Sequence, residues 1–157
     1  MQKPVMTLMI AIALGMAAIS TTTPALAQET EEPSLYDRLG GVYAIATVVD
    51  DFIESLLVNE MLNANPAINE ARMRVAKAGL KYRVTSMVCQ ATGGPEVYHG
   101  RSMKDSHTHL NITETEWEAM LADFSTTLNK FEVPEKEQGE LIAILESTKD
   151  DIVAHMP

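Results

Sequence analysis

The chain has 157 residues, of which 46% are hydrophobic, and its formal net charge is −10. This length and composition suit one globular domain with a buried core. The acidic balance argues against nucleic acid and against anionic lipid as partners, because both need a basic protein face.

The N-terminal residues have the pattern of a cleaved signal peptide. Lys3 precedes an apolar run over Met6–Ile19, and Ala25-Leu26-Ala27 forms a small-x-small cleavage site. The run is too short for a comfortable membrane span, so we expect no membrane attachment after cleavage. The pattern predicts cleavage after Ala27 and a periplasmic or secreted protein. The predicted units are a signal peptide at 1–27, a flexible lead at 28–33 and a folded domain at 34–157.

Helical periodicity dominates the first half of the domain. Ser34 is a candidate cap for a short turn over 35–39, which Gly40-Gly41 ends. Apolar residues then recur at helical spacing from Val42 to about Asn59. Residues 67–76 are ambiguous between a loop and a short basic helix.

The sequence pattern in the second half of the domain predicts three more helices. One runs over Lys77–Ala91 and is ended by Gly93-Gly94-Pro95. Thr113-Glu114-Thr115-Glu116 reads as a capping box for a helix to about Lys130, and Pro134 opens a last helix. The predicted fold is all-α, with about four substantial helices in two consecutive pairs. The residues expected on the inner face of the first of these helices are Leu80, Val84, Met87, Val88 and Ala91. The stripe expected on the last is Leu141, Ile144, Leu145, Thr148 and Ile152.

Three of the four histidines lie within residues 98–112. His99 and His107 are eight residues apart, and His107 and His109 are two apart, so neither pair has the i, i+4 spacing of a helical metal chelate. Cys89 is the only cysteine, which excludes an internal disulfide and a pair of haem thioethers. On spacing alone, His107 is more readily a packed or exposed histidine than a metal ligand.

Three motifs together resemble the truncated haemoglobins, most closely their group I. They are Gly40-Gly41 after a short helix, Gly93-Gly94-Pro95 after a middle helix, and Tyr98-x-Gly100-x-x-Met103-Lys104-x-x-His107. The resemblance implies a two-over-two globin fold, non-covalent haem b and His107 as the iron ligand. It also implies an apolar slot for the ring and cations for the propionates. The expected slot residues are Leu80, Val84, Met87, Val88, Tyr98, Met103, Ile112 and Trp117, with Phe52 and Ile53 on the opposite wall. The expected cations are Lys81 and Arg101, with Arg83 and Lys104 as further candidates.

The opposite wall departs from the family's commonest pattern. Many group I members have a tyrosine where Ile53 follows Phe52, and a glutamine in the middle helix is replaced here by Val84. Without such hydrogen-bond donors, bound oxygen should dissociate faster, while the binding of carbon monoxide and nitric oxide should be affected less. Tyr82 and Tyr43 remain as possible donors.

The resemblance implies an exported globin that binds a diatomic gas, either oxygen or nitric oxide. Nitric oxide dioxygenase or peroxidase-like activity is a further possibility, and the former needs an external reductase. One alternative is a haem sensor, carrier or electron-transfer protein whose sixth iron ligand comes from the chain. Another is a helical interaction module without haem.

Overall fold

A computed structural model describes residues 32–154, and within this range the chain forms nine α-helices. No β-strand occurs among these residues, apart from a single bridge between Ile112 and Val153, so the predicted all-α class is confirmed. The predicted signal peptide and residues 28–31 of the predicted lead lie outside the described residues. The helices are α1 Leu35–Arg38, α2 Gly41–Val58, α3 Glu60–Asn63, α4 Pro66–Arg74, α5 Lys77–Ala91, α6 Met103–His107, α7 Glu114–Lys130, α8 Glu135–Glu146 and α9 Lys149–Ile152, with a 3₁₀ turn at Thr108–Leu110.

Helix α2 packs against both α5 and α7. Its residues Ile45, Val49 and Ile53 form one apolar cluster with Cys89 of α5. On the α7 side, the rings of Phe52 and Phe124 meet edge to face with centroids 5.1 Å apart. Burial of these side chains stabilises α2, whose β-branched residues lower its intrinsic helix propensity.

A second apolar cluster joins α1, α7 and α8 through Leu35, Leu128 and Leu141. The capping box that starts α7 is present, since Thr113 and Glu116 each bond to the other's backbone. Helix α2 therefore pairs with α5 and also packs against α7, and α7 meets α8 through the second apolar cluster.

Burial along α5 differs from the sequence prediction. In α5 the most buried residues are Cys89, Thr85 and Ser86, whereas Ala91 is exposed. The two hydroxyls can be buried because they donate to backbone carbonyls one turn earlier, those of Lys81 and Tyr82. Leu80, Val84 and Val88 are partly buried, and they pack against the apolar cluster that α2 forms with Cys89.

The predicted last helix is broken in two, and it begins one residue later than expected. Pro134 is the N-cap of α8 and not its first helical residue. The helix ends at Glu146, and α9 restarts at Lys149 after a turn in which Thr148 donates its hydroxyl to the Leu145 carbonyl. The ambiguous residues belong mainly to α4, whose first turn is capped by the Asn65 side chain. No helix within 32–154 is long and apolar enough to cross a membrane.

Candidate functional site

The Gly93-Gly94-Pro95 turn is packed tightly against the start of the domain. Gly93 has a φ of +89°, which favours glycine. A Cβ on Gly94 would lie 2.5 Å from Cδ2 of Tyr36 and 2.8 Å from the Cys89 carbonyl oxygen. The glycine pair thus fixes the direction in which the chain leaves α5, because the Tyr36 ring occupies the space that a side chain would need.

The loop after this turn is held by three side chains. The Tyr36 hydroxyl donates to Oε1 of Glu96 at 3.3 Å and accepts from the Val42 N–H at 3.1 Å. The Tyr98 N–H donates to Oε1 of Gln90 at 2.6 Å. The hydroxyl of Tyr98 donates to the Arg101 carbonyl at 3.0 Å, which folds the loop on itself.

Sequence reasoning did not single out Tyr36, Gln90 or Glu96. For Glu96 a signal exists, because it is the only acidic residue between positions 71 and 104. An isolated carboxylate in an otherwise acid-free region is a candidate for a specific contact.

Helix α6 carries His107 at its last residue. The Ser102 side chain caps this helix by accepting from the Asp105 N–H at 3.0 Å. Nδ1 of His107 lies 2.8 Å from the Met103 carbonyl oxygen. A carbonyl oxygen can only accept, so Nδ1 carries the proton and the lone pair is on Nε2.

Burial lowers the pKa of His107, and the nearby His109 and Arg101 side chains act in the same direction. The hydrogen bond to the Met103 carbonyl opposes this shift without reversing it. The imidazole is therefore neutral near pH 7. A neutral ring with Nδ1–H held by a backbone carbonyl is the form in which histidine ligates a metal through Nε2.

The predicted slot residues differ in burial. Phe52, Ile53, Ile112 and Trp117 are buried, whereas the other five apolar candidates and Tyr98 are partly exposed. The indole N–H of Trp117 is buried and has no hydrogen-bond partner among the described residues. The partly exposed candidates are Leu80, Val84, Met87, Val88 and Met103.

The predicted cations separate into two kinds. Nζ of Lys81 lies 2.5 Å from carboxylate oxygens of both Asp50 and Glu54, so Lys81 is turned towards α2. The exposed Arg101 forms no ion pair with a described carboxylate. Among all described Lys and Arg side chains, those with neither an ion pair nor a hydrogen bond to a described residue are Arg83, Arg101 and Lys104.

The face of α5 turned away from α2 is open at its N-terminal end. A Cβ built on Gly79 would meet nothing within 4 Å, and Tyr82 is 73% exposed. Arg83, next in the chain, is also exposed. The predicted slot residues Leu80, Val84 and Val88 are partly buried and pack against the apolar cluster of α2 and Cys89.

The remaining described histidines, His99 and His109, are exposed. His99 lies in the loop before α6, and His109 lies in the 3₁₀ turn after it. Of these three histidines, only His107 combines partial burial with a backbone bond that sets its tautomer.

A family model described as bacterial-like globin matches residues 34–154. A group 1 truncated haemoglobin of Synechocystis is 31% identical over 117 residues, covering 71% of this chain and 88% of that protein. A group 1 truncated haemoglobin of Tetrahymena thermophila is 23% identical over 121 residues, covering 77% and 95%.

Solved structures show the same fold. The truncated haemoglobin of Tetrahymena pyriformis in its Fe(III) form has a TM-score of 0.63 and 21% identity, covering 78% of this chain and all of that one. The 2/2 haemoglobin of a Synechococcus species, in the cyanomet state and with covalently attached haem, has a TM-score of 0.67 and 24% identity. It covers 77% of this chain and 98% of that one.

Proposed function

Because the chain belongs to the bacterial-like globin family, and within it to the group 1 truncated haemoglobins, we propose that it holds haem through His107 and binds a diatomic gas. The observation that carries this proposal is the 2.8 Å hydrogen bond from Nδ1 of His107 to the Met103 carbonyl. It leaves Nε2 unprotonated at the end of α6, which is what an iron ligand requires.

The charges around α5 and α6 fit a ligand with two carboxylates. In a chain of net charge −10, the described cations without a partner are Arg83 on α5, Arg101 just before α6 and Lys104 on α6. We propose that they bind the haem propionates, since unpaired guanidinium and ammonium groups are suitable partners for carboxylates. Lys81 is a weaker candidate than Arg83, because two carboxylates of α2 already hold its ammonium.

We propose non-covalent haem b as the cofactor. The only cysteine, Cys89, is fully buried and lies against α2, so it offers no thioether attachment. The half-buried methionines Met87 and Met103 supply adaptable apolar surface, and the buried N–H of Trp117 has no hydrogen-bond partner among residues 32–154. These features suit a slot for an apolar ring with a polar edge.

When bound, haem supplies an iron with one open position, at which oxygen, nitric oxide or carbon monoxide binds. The candidates for the wall on the α2 side are Phe52 and Ile53, both buried and apolar. A polar gas ligand therefore receives no hydrogen bond from these two side chains. We expect faster oxygen release than in a globin with a tyrosine in this place, and a smaller effect on carbon monoxide.

The second candidate function is a haem sensor, carrier or electron-transfer protein with a sixth ligand from the chain. The exposure of Tyr82 on the face of α5 turned away from α2 favours it, since its hydroxyl is free to approach an iron. Nitric oxide dioxygenase activity would add a requirement for an external reductase.

Absorption spectra of the purified mature protein test these proposals. We expect a five-coordinate ferrous spectrum that shifts with carbon monoxide, and a six-coordinate spectrum without added ligand would favour the second candidate. His107→Ala should lose the native ferrous spectrum, and added imidazole should restore it. His109→Ala is the matched control, because this exposed histidine lies two residues away. An unchanged spectrum in His107→Ala, or colourless protein after growth with ample haem, would refute the proposal.

We also propose that the protein acts outside the cytoplasm, on the strength of the signal-peptide pattern at residues 1–27. N-terminal sequencing of the protein from a periplasmic fraction should begin at Gln28. Recovery of the intact N-terminus from the cytoplasmic fraction alone would contradict export.

A further inference from the structure

Asn65, just before α4, connects two parts of the domain that are far apart in the sequence. Its Nδ2 donates to the Leu110 carbonyl oxygen at 3.0 Å, and its Oδ1 accepts from the backbone N–H groups of Ala67 and Ile68 at 2.9 and 3.3 Å. Since an N–H can only donate and a carbonyl oxygen can only accept, these contacts fix which amide atom is oxygen and which is nitrogen. The side chain therefore caps α4 and at the same time holds a second element.

The element that Asn65 holds is the 3₁₀ turn Thr108–Leu110, which follows His107 directly and is here called the ligand turn. Among residues 32–154, Asn65 is the only residue outside α6 whose side chain hydrogen-bonds to this turn. Beyond the turn, the Ala154 N–H donates to the Ile112 carbonyl oxygen at 2.8 Å, a backbone contact that a side-chain substitution leaves in place. Asn65 is therefore the point at which one substitution can release the ligand turn.

Polar contacts also fix the far end of α4. Nη2 of Arg72 donates to the Leu56 carbonyl oxygen at 2.7 Å, in the last turn of α2, and its Nη1 donates to Oδ1 of Asn63 in α3. No residue of α4 is buried, so apolar packing contributes little to its position. Because α2 also carries Phe52 and Ile53, α4 connects this wall of the candidate slot to the ligand turn.

The local sequence prepares Asn65 for both contacts. Pro66 lies in the first turn of α4, and the residue before a proline is confined to extended backbone. Asn65 accordingly has a φ of −82° and a ψ of 112°, as an N-cap residue should. Asparagine suits this position because its side chain both accepts and donates, whereas an aspartate carboxylate only accepts.

We propose that Asn65 is a positioning residue for the iron ligand, because it holds the ligand turn and so keeps His107 in place relative to the opposite wall of the slot. This inference rests on the proposed function, in which His107 binds the iron. A metal–ligand bond is short and directional, so the ligand has to be held within about 0.5 Å of its productive position. The Met103 carbonyl orients the imidazole ring, and Asn65 holds the backbone that follows it.

Asn65→Asp separates the two roles of this side chain. Aspartate has nearly the same shape and is an equally good N-cap, so α4 keeps its cap. An ionised carboxylate has no donor, and its second oxygen would face the Leu110 carbonyl oxygen, which now accepts from Nδ2 at 3.0 Å. Two acceptors repel each other, so this variant should release the ligand turn and leave α4 folded. Asn65→Ser, which keeps a capping oxygen and adds no charge, should act in the same direction.

Asn59→Asp is the matched control. Asn59 caps α3 in the same way, since its Oδ1 accepts from the N–H groups of Met61 and Leu62 at 2.9 and 3.2 Å. Its Nδ2 donates to Oδ2 of Asp123 in α7 at 2.7 Å, so the substitution breaks a comparable bond to a different helix. The control and the test variant therefore share the substitution, the kind of cap and the loss of one amide donor.

The effect is measured both with and without haem. In the loaded ferrous protein, resonance Raman spectroscopy gives the iron–histidine stretching band, and transfer of haem to excess apomyoglobin gives the rate of haem loss. Asn65→Asp should shift the band and speed haem loss about fivefold, the factor that one hydrogen bond is worth, and Asn59→Asp should change the rate less than about twofold. In the haem-free protein, hydrogen exchange in residues 108–112 should become faster in Asn65→Asp and stay native in Asn59→Asp.

Native hydrogen exchange at residues 108–112 in Asn65→Asp would overturn the proposal. An iron–histidine band and a rate of haem loss equal to those of Asn59→Asp would overturn it too, as would native values of both in Asn65→Ser. Circular dichroism verifies that each variant is folded. Failure of the proposed function looks different, because the native protein would then bind no haem or His107→Ala would keep the native ferrous spectrum.

Discussion

The Gly94→Ala variant tests whether the Gly-Gly-Pro turn holds the loop that leads to His107. The added Cβ would lie 2.5 and 2.7 Å from two Tyr36 ring carbons and 2.8 Å from the Cys89 carbonyl oxygen. All three distances are shorter than van der Waals contact, and the carbonyl belongs to a helix end that cannot move freely. The Tyr36 ring must therefore shift, and this shift would disrupt the hydrogen bonds of its hydroxyl to Glu96 and Val42.

The loss of unfolding free energy in Gly94→Ala can be worked out from these contacts. Overpacking of one methyl group costs about 1–3 kcal/mol, and a lost hydrogen bond adds about 1 kcal/mol. We expect Gly94→Ala to lower the free energy of unfolding by about 2–4 kcal/mol, measured by urea denaturation followed by circular dichroism.

Gly139→Ala is the matched control for this substitution. Gly139 lies within α8, and an added Cβ there would meet nothing within 4 Å. Alanine in a helix interior is better than glycine by about 0.5–1 kcal/mol, so this variant should be more stable than the native protein. Equal stability of the two variants would refute the steric reasoning at Gly94.

Three further predictions concern other contacts. Burial, with Glu96 nearby, raises the pKa of the Cys89 thiol to about 11. A thiol reagent at pH 8 should therefore react with Cys89 only after denaturant is added. Rapid reaction of the native protein would contradict this prediction. The Arg38 guanidinium lowers the pKa of Glu140 below 4.5, so the pair stabilises the fold above that pH and loses its effect as pH falls through the folded pKa. The difference in urea midpoint between native protein and Glu140→Gln should accordingly shrink below pH 4.5, and a constant difference would show that the ion pair is not its cause. Thr113→Ala removes the hydroxyl that caps α7 and should cost about 1 kcal/mol of unfolding free energy by urea denaturation; an unchanged midpoint would count against the cap.

The sequence was sufficient for most of the secondary structure, because its signals are local. The limits of α5 follow from the Gly93-Gly94-Pro95 break, and the start of α7 follows from the Thr113 capping box. Helical periodicity, glycine breaks and caps act through neighbours on the chain, so they can be read without knowing the fold. The break at Thr148 could not be predicted this way, since helix-compatible residues continue on both sides of it.

The sequence by itself also determined which histidine to examine, because the spacing from Tyr98 to His107 matches the truncated haemoglobins. Only the tertiary structure decided how the surrounding side chains are oriented. In the structure, Lys81 points towards Asp50 and Val84 packs against α2. Arg83 forms no ion pair with a described carboxylate. The physical reason is that helix orientation depends on the sum of many long-range contacts. Residues one position apart on α5 point about 100° from each other, so a small rotation changes which of them faces the core and which faces the candidate haem slot.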